Sequence, residues 1–418
     1  MTEKFHSVRG MKDSFSEEAA LYEMIEEKLK KIFTQWGFDP VRLPIIEDEK
    51  LFKKSIGAGT DMIDKEMYCF EDKNDKRLTL RPEGTAGVVR AAIQSGQVGQ
   101  GLIKWFYLGP MFRRERPQKG RYRQFYQLGA EVLGASGVGV VAEVIALGTE
   151  LLSTYSNITL HLNYISEPGN RARYIRDLTN YLTPYANNLD QDSQRRLTIN
   201  PLRILDSKCP ETQAILKQAP MLANYLPSSE KTQIRQLEKM LNDMGIAYQI
   251  DPTLVRGLDY YNGFVFEWHQ KELLGTQSAV AAGGCYDHLV QHLGGPKVDA
   301  CGFAIGIDRL VELMKNNDNS GICDMDGLIL AHDPIFFNRA YQLHQVVRQK
   351  FTSLRVGIDC RQQSLKSLLR RAKTIVPKWI VTLDDEHILV QFDDQFVKLK
   401  VDQWDQWLKN YNESIKLT

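Results

Sequence analysis

The chain has 418 residues, a length that predicts two or three domains. Of these residues 43% are hydrophobic and 25% charged, a balance typical of a folded protein with a core. The formal net charge of +1 excludes the overall basic excess of a protein that binds nucleic acid with its whole surface, so any such surface must be local. Residues 1–6 lack the apolar stretch of a secretory signal, and no run of about 18 apolar residues predicts a membrane span.

The cysteines and histidines predict neither a disulfide framework nor a metal site. None of the six cysteines forms a C-x-x-C pair or lies at zinc-site spacing from a histidine, which favours reduced thiols. His288 and His292 are four residues apart but lack the intervening glutamate of a zinc helix, so a helix face is the better interpretation. A phosphate-binding G-x-x-x-x-G-K-[ST] loop is also missing from the sequence.

The amino-terminal part predicts a helix and then short strands. Ser14 and Glu17 have the spacing of a capping box, and apolar residues recur at helical spacing from Leu21 to Phe33. A hairpin is predicted from two apolar runs that flank a polar turn at residues 72–75. Further along, a helix is predicted over residues 86–93, with strands over 104–107 and 124–131 on either side of a charged loop.

The rest of the chain predicts an interruption, a return to strands and a separate final domain. Residues 168–246 are polar with leucines at helical spacing, which predicts an inserted helical subdomain within a first domain of residues 1–325. Further predictions are strands over 254–268 and 279–283, a helix over 286–293, and a strand running into a helix over 302–314. Alternating strands and helices over residues 326–418 predict a small α/β domain.

The charged loop at residues 113–123 is the strongest local signal, because six cations lie within eleven residues. Arginine's planar fork suits phosphate oxygens, and the flanking Phe112 and Phe125 suit stacking on a base. A solvated hairpin tip is the alternative interpretation.

Four weaker clusters each have a plain structural interpretation. Glu83 follows a predicted strand, where its carboxylate either binds an ammonium group or belongs to a charged turn. Arg256, Asp259 and two tyrosines gather at residues 254–263, where the hydroxyls either orient a ligand or lie in an ordinary strand. Gly283 and Gly284 allow the backbone to approach a ligand closely. Residues 302–309 place a lone arginine, Arg309, at a predicted strand-to-helix junction, where a simple salt bridge is the plain structural interpretation.

Taken together, these segments resemble the histidyl-tRNA synthetase family of the class II aminoacyl-tRNA synthetases. Residues 112–127 resemble motif 2 of the class and residues 302–309 resemble motif 3. Residues 256–261 and 283–287 resemble two histidine-specific signatures, and residues 200–208 resemble the inserted helical domain of the bacterial enzymes.

The resemblance implies an α+β fold, in which an antiparallel sheet flanked by helices carries the catalytic site. It also implies that residues 168–246 are an inserted helical subdomain and residues 326–418 an α/β anticodon-binding domain. The expected substrates are L-histidine, ATP with Mg²⁺, and tRNA(His). The expected assembly is a cytoplasmic homodimer without membrane association, with residues 40–58 near the subunit interface.

The resemblance assigns roles by position. Arg113 and Arg256 are the expected catalytic residues, one on each side of the α-phosphate. The expected ATP-binding residues are Arg113, Glu115, Arg121, Phe125 and Arg309. The expected histidine-binding residues are Glu83, Thr85, Gln127, Glu131, Tyr260, Tyr261 and Tyr286. The expected contacts to the tRNA acceptor end are Gln118, Lys119 and Arg123.

Two departures from the family pattern bear on function. Cys285 stands where the family usually has arginine, and the predicted carboxy-terminal hairpin at residues 384–387 is short. The main alternative function is a non-catalytic paralogue that regulates the ATP phosphoribosyltransferase of histidine biosynthesis. Such proteins usually lack the carboxy-terminal domain and the catalytic arginines, both of which this sequence retains. An RNA-binding module without catalysis is a further alternative.

Overall fold

A computed structural model describes residues 4–57, 60, 62–118, 120–135, 137–270, 278–315, 325–392 and 395–415. The chain forms two compact units, Met1–Asp318 and Asn319–Thr418. None of the helices within the described ranges is long and apolar enough to cross a membrane.

The first unit combines strands with flanking helices. In chain order its elements are α1 (Ser16–Gln35), β1 (Asp39–Pro40), β2 (Ile46–Asp48), α2 (Glu49–Ile56), β3 (Tyr68–Glu71), β4 (Arg77–Leu80), α3 (Thr85–Gln94), β5 (Ile103–Phe112), β6 (Gln124–Leu133), α4 (Val138–Leu152), β7 (Ile158–Tyr164), α5 (Pro168–Leu182), α6 (Gln191–Ile199), α7 (Pro210–Leu216), α8 (Ser228–Asp243), β8 (Tyr248–Ile250), β9 (Asn262–Gln270), β10 (Ala279–Cys285), α9 (Leu289–His292), β11 (Ala300–Gly306) and α10 (Ile307–Lys315).

A large sheet organises this unit. Among the described residues it contains eight strands in the order β1-β5-β6-β11-β10-β9-β7-β8, and only the β1–β5 and β7–β8 pairs are parallel. The strands β2, β4 and β3 form a separate small antiparallel sheet. The large antiparallel sheet with helices around it confirms the predicted fold class.

Helices α1 and α4 cover one face of the large sheet. The ring of Phe33 in α1 stacks on Phe106 of β5, with centroids 4.9 Å apart. Trp268 of β9 packs so closely on α4 that a Cβ atom on Gly148 would lie 2.4 Å from its ring. Because side chains alternate along a strand, the residues between these core positions project from the opposite face, where the candidate site lies.

The start of α1 differs from its prediction. The helix begins at Ser16, with Phe15 as its N-cap, and no side chain caps it. The predicted capping box of Ser14 and Glu17 is therefore wrong. The cause of the later start is local: Phe15 is extended and Ser16 has a φ of +46°. The first helical turn therefore starts two residues after Ser14.

The predicted strand over residues 254–268 starts only at Asn262. The neighbouring strands set the start of β9, because its pairing with β10 ends at Asn262 and its pairing with β7 ends at Phe264. The residues before Asn262 form an irregular segment, which Asn163 holds by donating a hydrogen bond to the Leu254 carbonyl at 2.9 Å. The arginine and tyrosines of residues 254–261 therefore lie on a loop at the end of the sheet.

The helix predicted over residues 286–293 is reduced to Leu289–His292. The backbone amides of Tyr286 and Asp287 bond instead to the Ala300 carbonyl and the Asn262 side chain. His288 lies 2.9 Å from Glu167. Within the described ranges, no group of three or more His, Cys, Asp or Glu side chains could hold a metal ion.

Between β7 and β8 the chain is helical, from α5 through α8, with short 3-10 turns between those helices. The buried Leu178, Leu237 and Leu241 follow the predicted apolar spacing.

The second unit alternates strands and helices. Its elements are β12 (Gly327–Leu330), α11 (Phe337–Lys350), β13 (Val356–Asp359), α12 (Leu365–Ile375), β14 (Trp379–Leu383), β15 (Ile388–Phe392), β16 (Gln395–Leu399) and α13 (Trp404–Ile415). In the described part, five strands follow the order β13-β12-β14-β15-β16, with β12 parallel to both of its neighbours. The core is built around the buried Trp379 and Trp404, whose ring centroids are 5.6 Å apart.

Candidate active site

A cavity lies over the middle of the large sheet and collects side chains that are far apart in sequence. Its lining includes Glu83, Thr85, Tyr107, Arg113, Glu115, Arg121, Tyr122, Phe125, Gln127, Arg256, Tyr260, Tyr261, Asp308 and Arg309. The structure thus brings together residues from the loop after β4, the β5–β6 hairpin, the segment before β9, and the start of α10.

Strand β6 forms the centre of the cavity floor. Phe125, Gln127 and Glu131 are separated by even numbers of residues, so strand alternation places them on one face. The register with β11 pairs Gln127 with Gly306 and Glu131 with Gly302. Glycine at both partner positions leaves space above the sheet, because a Cβ atom on Gly302 would lie 1.9 Å from a carboxylate oxygen of Glu131.

Four arginines converge on this cavity from three chain segments. Arg113 donates a hydrogen bond from Nε to the Pro82 carbonyl at 2.8 Å, and its Cζ lies 5.1 Å from the centre of the Phe125 ring. Arg121 forms an ion pair with Glu115, whose other oxygen is 3.9 Å from Arg113.

The other two arginines approach from the sheet end and from α10. Arg256 pairs with Glu267 and lies over the Tyr261 ring, 5.5 Å from its centre. Arg309 donates a hydrogen bond to the Ala279 carbonyl. Burial, together with the neighbouring cations Arg121 and Arg113, lowers the pKa of Arg309 to about 10, which still leaves it charged at neutral pH.

The charge balance of the cavity favours a polyanionic ligand. Glu115 contacts two of the arginines and Glu267 a third, while Arg309 bonds to a neutral carbonyl. Asp308 also lines the cavity. Its carboxylate already accepts hydrogen bonds from the backbone amide of Tyr126, at 2.6 Å, and from a tyrosine hydroxyl of α1. The lining contains four arginines against three carboxylates, those of Glu83, Glu115 and Asp308, beside the half-buried ring of Phe125. This set suits the phosphates and base of a nucleotide.

A buried carboxylate, that of Glu131, lies behind the lining residue Thr85 and does not itself line the cavity. Glu131 accepts hydrogen bonds from the hydroxyls of Thr85, at 2.7 Å, and Tyr286. Burial raises the pKa of Glu131 to about 8, since desolvation disfavours the charged form. The site can therefore hold its proton or release it when a basic ring binds.

Three tyrosine rings pack together beside Glu131. The ring of Tyr260 lies 4.6 Å from that of Tyr261 and 5.8 Å from that of Tyr286, between centroids. Arg171 of α5 fixes the segment by donating a hydrogen bond to the Tyr261 carbonyl at 3.2 Å. The cluster forms an aromatic wall with a few hydroxyl groups, a common way to bind a small polar ring.

Glu83 caps helix α3. Its carboxylate oxygens accept hydrogen bonds from the backbone amides of Thr85, at 2.7 Å, and Ala86, at 2.9 Å. Burial raises its pKa. Glu83 thus positions Thr85 at the cavity as well as lining the cavity itself.

The sequence did not single out Tyr107, which lies at the same floor. Its hydroxyl donates a hydrogen bond to the Gln127 side chain at 3.1 Å. A Cβ atom on Gly84 or Gly129 would come within 2.4 Å of the Tyr107 ring, so both glycines are needed where they stand. The signal was weak, because an apolar strand with one tyrosine is common and the packing glycines are distant in sequence.

The hairpin tip is anchored to the amino-terminal segment. Arg123 donates hydrogen bonds to the carbonyls of Glu115 and Arg9, both at 3.2 Å, which favours a bracing role. Gln118 forms a backbone bridge with Arg121. Lys119, expected at the tRNA acceptor end, lies outside the described residues.

Cys285 is buried at the end of β10, directly before Tyr286 in the chain. It pairs in register with Cys301 across β10 and β11. A second cavity beside these cysteines is lined by Glu167, Asp287 and Asp299 among others. A thiol therefore occupies, close to these carboxylates, the position where the family usually has arginine. The adjacent glycines serve packing, since a Cβ atom on Gly284 would lie 2.6 Å from the Phe264 carbonyl.

Comparisons with known proteins show the family to which the sequence is similar. A family model described as histidyl-tRNA synthetase matches residues 10–167 and 176–310. The histidine–tRNA ligase of Hydrogenovibrio crunogenus is 41% identical over 394 residues, which cover 93% of this chain and 92% of that protein.

Solved structures extend the comparison to three dimensions. The crystal structure of apo S. aureus histidyl-tRNA synthetase is similar with a TM-score of 0.78 at 29% identity, covering 97% of this chain and 99% of that one. An ATP phosphoribosyltransferase regulatory subunit/histidyl-tRNA synthetase from Bacillus halodurans gives a TM-score of 0.64 at 21% identity, covering 89% and 97%. At that identity the second likeness concerns the fold alone.

Proposed function

The chain belongs to the histidyl-tRNA synthetase family of class II aminoacyl-tRNA synthetases, and from that membership we propose how the residues of the cavity share the reaction. The reaction has two steps: ATP-dependent activation of L-histidine to histidyl-adenylate, and transfer of histidine to the 3′ end of tRNA(His). The observation that carries the assignment is the convergence of four arginines on one cavity, whose lining residue Thr85 donates a hydrogen bond to the buried carboxylate of Glu131.

In the first step, the carboxylate of histidine attacks the α-phosphorus of ATP, and pyrophosphate leaves. Arg113 and Arg256 are the catalytic residues, because both line the cavity and enter it from different segments. Their guanidinium groups hold the α-phosphate and stabilise the negative charge that grows in the transition state. Contacts to Pro82 and Glu267 fix the two groups before substrate arrives.

ATP is bound by the remaining cations and the aromatic face. Arg121 and Arg309 hold the outer phosphates or the face of the adenine, while Phe125 stacks on the base and Glu115 orients Arg121. Magnesium enters as part of the ATP substrate. Phosphate oxygens and water molecules would supply most of its ligands, as is usual for this ion.

Histidine occupies the end near Glu131. Its amino group is bound by Glu83, Thr85 and Gln127, which all line the cavity. Its imidazole is surrounded by Glu131 and by the tyrosine cluster of Tyr260, Tyr261 and Tyr286. A site that donates and accepts hydrogen bonds with a ring rejects analogues without ring nitrogens, because its buried polar groups would be left unpaired.

Transfer to tRNA uses the tip of the β5–β6 hairpin, the inserted helical subdomain and the carboxy-terminal domain. Gln118 and Lys119 contact the acceptor end, and Arg123, through its two carbonyl contacts, holds that loop in place. Residues 168–246 form the inserted helical subdomain, and residues 326–418 bind the anticodon region. The basic residues of α12, among them Lys366 and Arg370, suit RNA phosphates, whereas Arg361 is paired with Asp359.

A homodimer in the cytoplasm is the proposed state. Residues 40–58 lie near the subunit interface, and this region exposes Ile45 and Ile46 by 42% and 48%. Phe70, on the same small sheet, is 38% exposed. Neighbouring exposed apolar side chains are a common feature of protein–protein contact surfaces.

The regulatory alternative is disfavoured on two grounds. All four arginines expected in the active site point to one cavity, although a non-catalytic protein has no need of them. The second ground is that relatives described as histidine–tRNA ligases are 41% identical over 93% of this chain. An RNA-binding module without catalysis leaves the buried Glu131 and its hydroxyl partners unexplained.

The experiment that tests the proposed function is amino-acid-dependent exchange of labelled pyrophosphate into ATP, measured with magnesium present. We expect exchange with histidine and only background exchange with each of the other amino acids. Addition of tRNA(His) should then allow charging. Absence of histidine-dependent exchange from folded protein, with and without tRNA, would favour the regulatory alternative.

A further inference from the structure

Glu267 of β9 connects the catalytic arginine to a histidine that no assigned role uses. One carboxylate oxygen, Oε1, accepts a hydrogen bond from Nη1 of Arg256, and the other, Oε2, lies 2.8 Å from Nε2 of His269. Glu267 and His269 are two residues apart on one strand and therefore share a face. The two carboxylate oxygens thus face two basic groups, of which Arg256 donates a hydrogen bond and His269 lies within ion-pair distance without one.

The surroundings hold these groups in place. The side chains of Glu267, Arg256 and His269 are only 13%, 19% and 20% exposed. Nδ1 of His269 is 2.7 Å from the Ser278 hydroxyl. The ring of His161, on the neighbouring strand β7, lies 4.4 Å from the His269 ring, which leaves the latter little freedom to turn away from Glu267.

We propose that Glu267 is a positioning residue that orients Arg256 toward the α-phosphate, and that His269 controls how strongly Glu267 holds the arginine. The inference rests on the proposed role of Arg256. A neutral His269 leaves the charge of Glu267 to Arg256 alone. A protonated His269 competes for the same carboxylate, so Arg256 is held less firmly at the reacting phosphate.

The groups around His269 set the direction of its pH response. Burial lowers the pKa of His269 from its ordinary value of 6.5, and the more distant Lys208 and Arg256 act in the same direction. Asp251 and Asp206 oppose that shift. Glu267, Ser278 and His161 are its direct contacts. His269 is thus neutral at neutral pH and becomes charged only as the pH falls through its lowered pKa.

The first test replaces Glu267 with glutamine, which keeps the shape and one acceptor but removes the charge. We expect Glu267→Gln to lower kcat for histidine-dependent exchange on the order of 10- to 100-fold, because a small misplacement of a catalytic group has effects of this size. The KM for histidine should stay within about twofold, since the imidazole site is not touched. Loss in KM alone, or no loss, would overturn the proposal.

A double substitution separates positioning from a general structural role. In the Arg256→Ala background, Glu267→Gln should cause no further loss, because there is no arginine left to orient. An equal fractional loss in both backgrounds would overturn the proposal. Normal exchange by Arg256→Ala itself would instead show that the proposed function assigned the wrong catalytic arginine.

Glu143→Gln is the matched control. Glu143 also pairs with a cation, Lys104, whose side chain is 19% exposed, as is that of Arg256. Neither Glu143 nor Lys104 lines the active-site cavity. We expect unchanged exchange from this variant. The thermal unfolding midpoints of both glutamine variants identify any loss that comes from misfolding.

The second test uses pH and does not depend on the stability of the Glu267 variant. In His269→Gln, exchange at pH 8 should remain within roughly fivefold of the wild type, the size of one hydrogen bond. The ratio of variant to wild-type kcat should rise as the pH falls from 7 to 5.5, because only the wild type gains the competing charge. Titration of the substrate histidine affects both proteins and cancels in the ratio. A ratio that is constant with pH would overturn the role of His269.

Discussion

Replacing Arg256 with alanine is expected to lower kcat for histidine-dependent pyrophosphate exchange by about 10²- to 10³-fold, the usual cost of removing one preorganised donor to a developing charge. Arg256 lines the cavity, lies over the Tyr261 ring and is fixed by Glu267. Because it acts on the α-phosphate, the KM for histidine should change little. The fold should persist, since the segment before β9 is held through other residues, including Asn163 and Arg171.

The control for this substitution is Arg176→Ala. Arg176 is an arginine of α5 whose side chain is 69% exposed, and it lies outside the active-site cavity. Exchange by this variant should match that of the wild type, and circular dichroism should show both variants folded. Near-normal exchange by Arg256→Ala would contradict the catalytic role.

Gly302→Ala is expected to damage both the histidine site and the stability of the sheet. A Cβ atom at this position would lie 1.9 Å from an oxygen of Glu131 and 2.4 Å from the carbonyl oxygen of Ala130. Rotation of Glu131 relieves only the first clash, because the second is with backbone. Overpacking of this kind costs about 1–3 kcal/mol of unfolding free energy. Displacing Glu131 should reduce kcat/KM for histidine on the order of 100-fold.

Denaturant unfolding and the KM for histidine together test this prediction. Gly139→Ala is the matched glycine control, because no atom lies within 4 Å of a Cβ atom built there. That variant should be as stable and active as the wild type. If Gly302→Ala bound histidine normally, the carboxylate of Glu131 could not be the group that contacts the imidazole.

The sequence predicted the parts of the fold that local patterns encode. The hairpin of β3 and β4, the pair β5 and β6, and the alternating elements of the second unit all follow from apolar periodicity and turn residues. The order of the signature segments indicated the family, which the comparisons confirmed. The resemblance grouped Phe125, Gln127 and Glu131, and their even spacing along β6 explains why the three share one face.

Features that depend on strand register and packing could not be predicted. The limit of β9 at Asn262 is set by where its neighbours end, and nothing in residues 254–261 encodes those ends. Tyr107 became part of the site only because two distant glycines make room for its ring. Glu267 lies eleven positions after Arg256 in the sequence, and the turn of the chain between them brings the two side chains together.

The most direct test of the account is a crystal structure with a stable analogue of histidyl-adenylate. The assignments require the group that replaces the α-phosphate to lie between Arg113 and Arg256, with the adenine against Phe125. The imidazole should contact Glu131 and the tyrosine cluster. An analogue bound with its phosphate substitute away from both arginines, or with its imidazole away from Glu131, would contradict the assignment of this cavity.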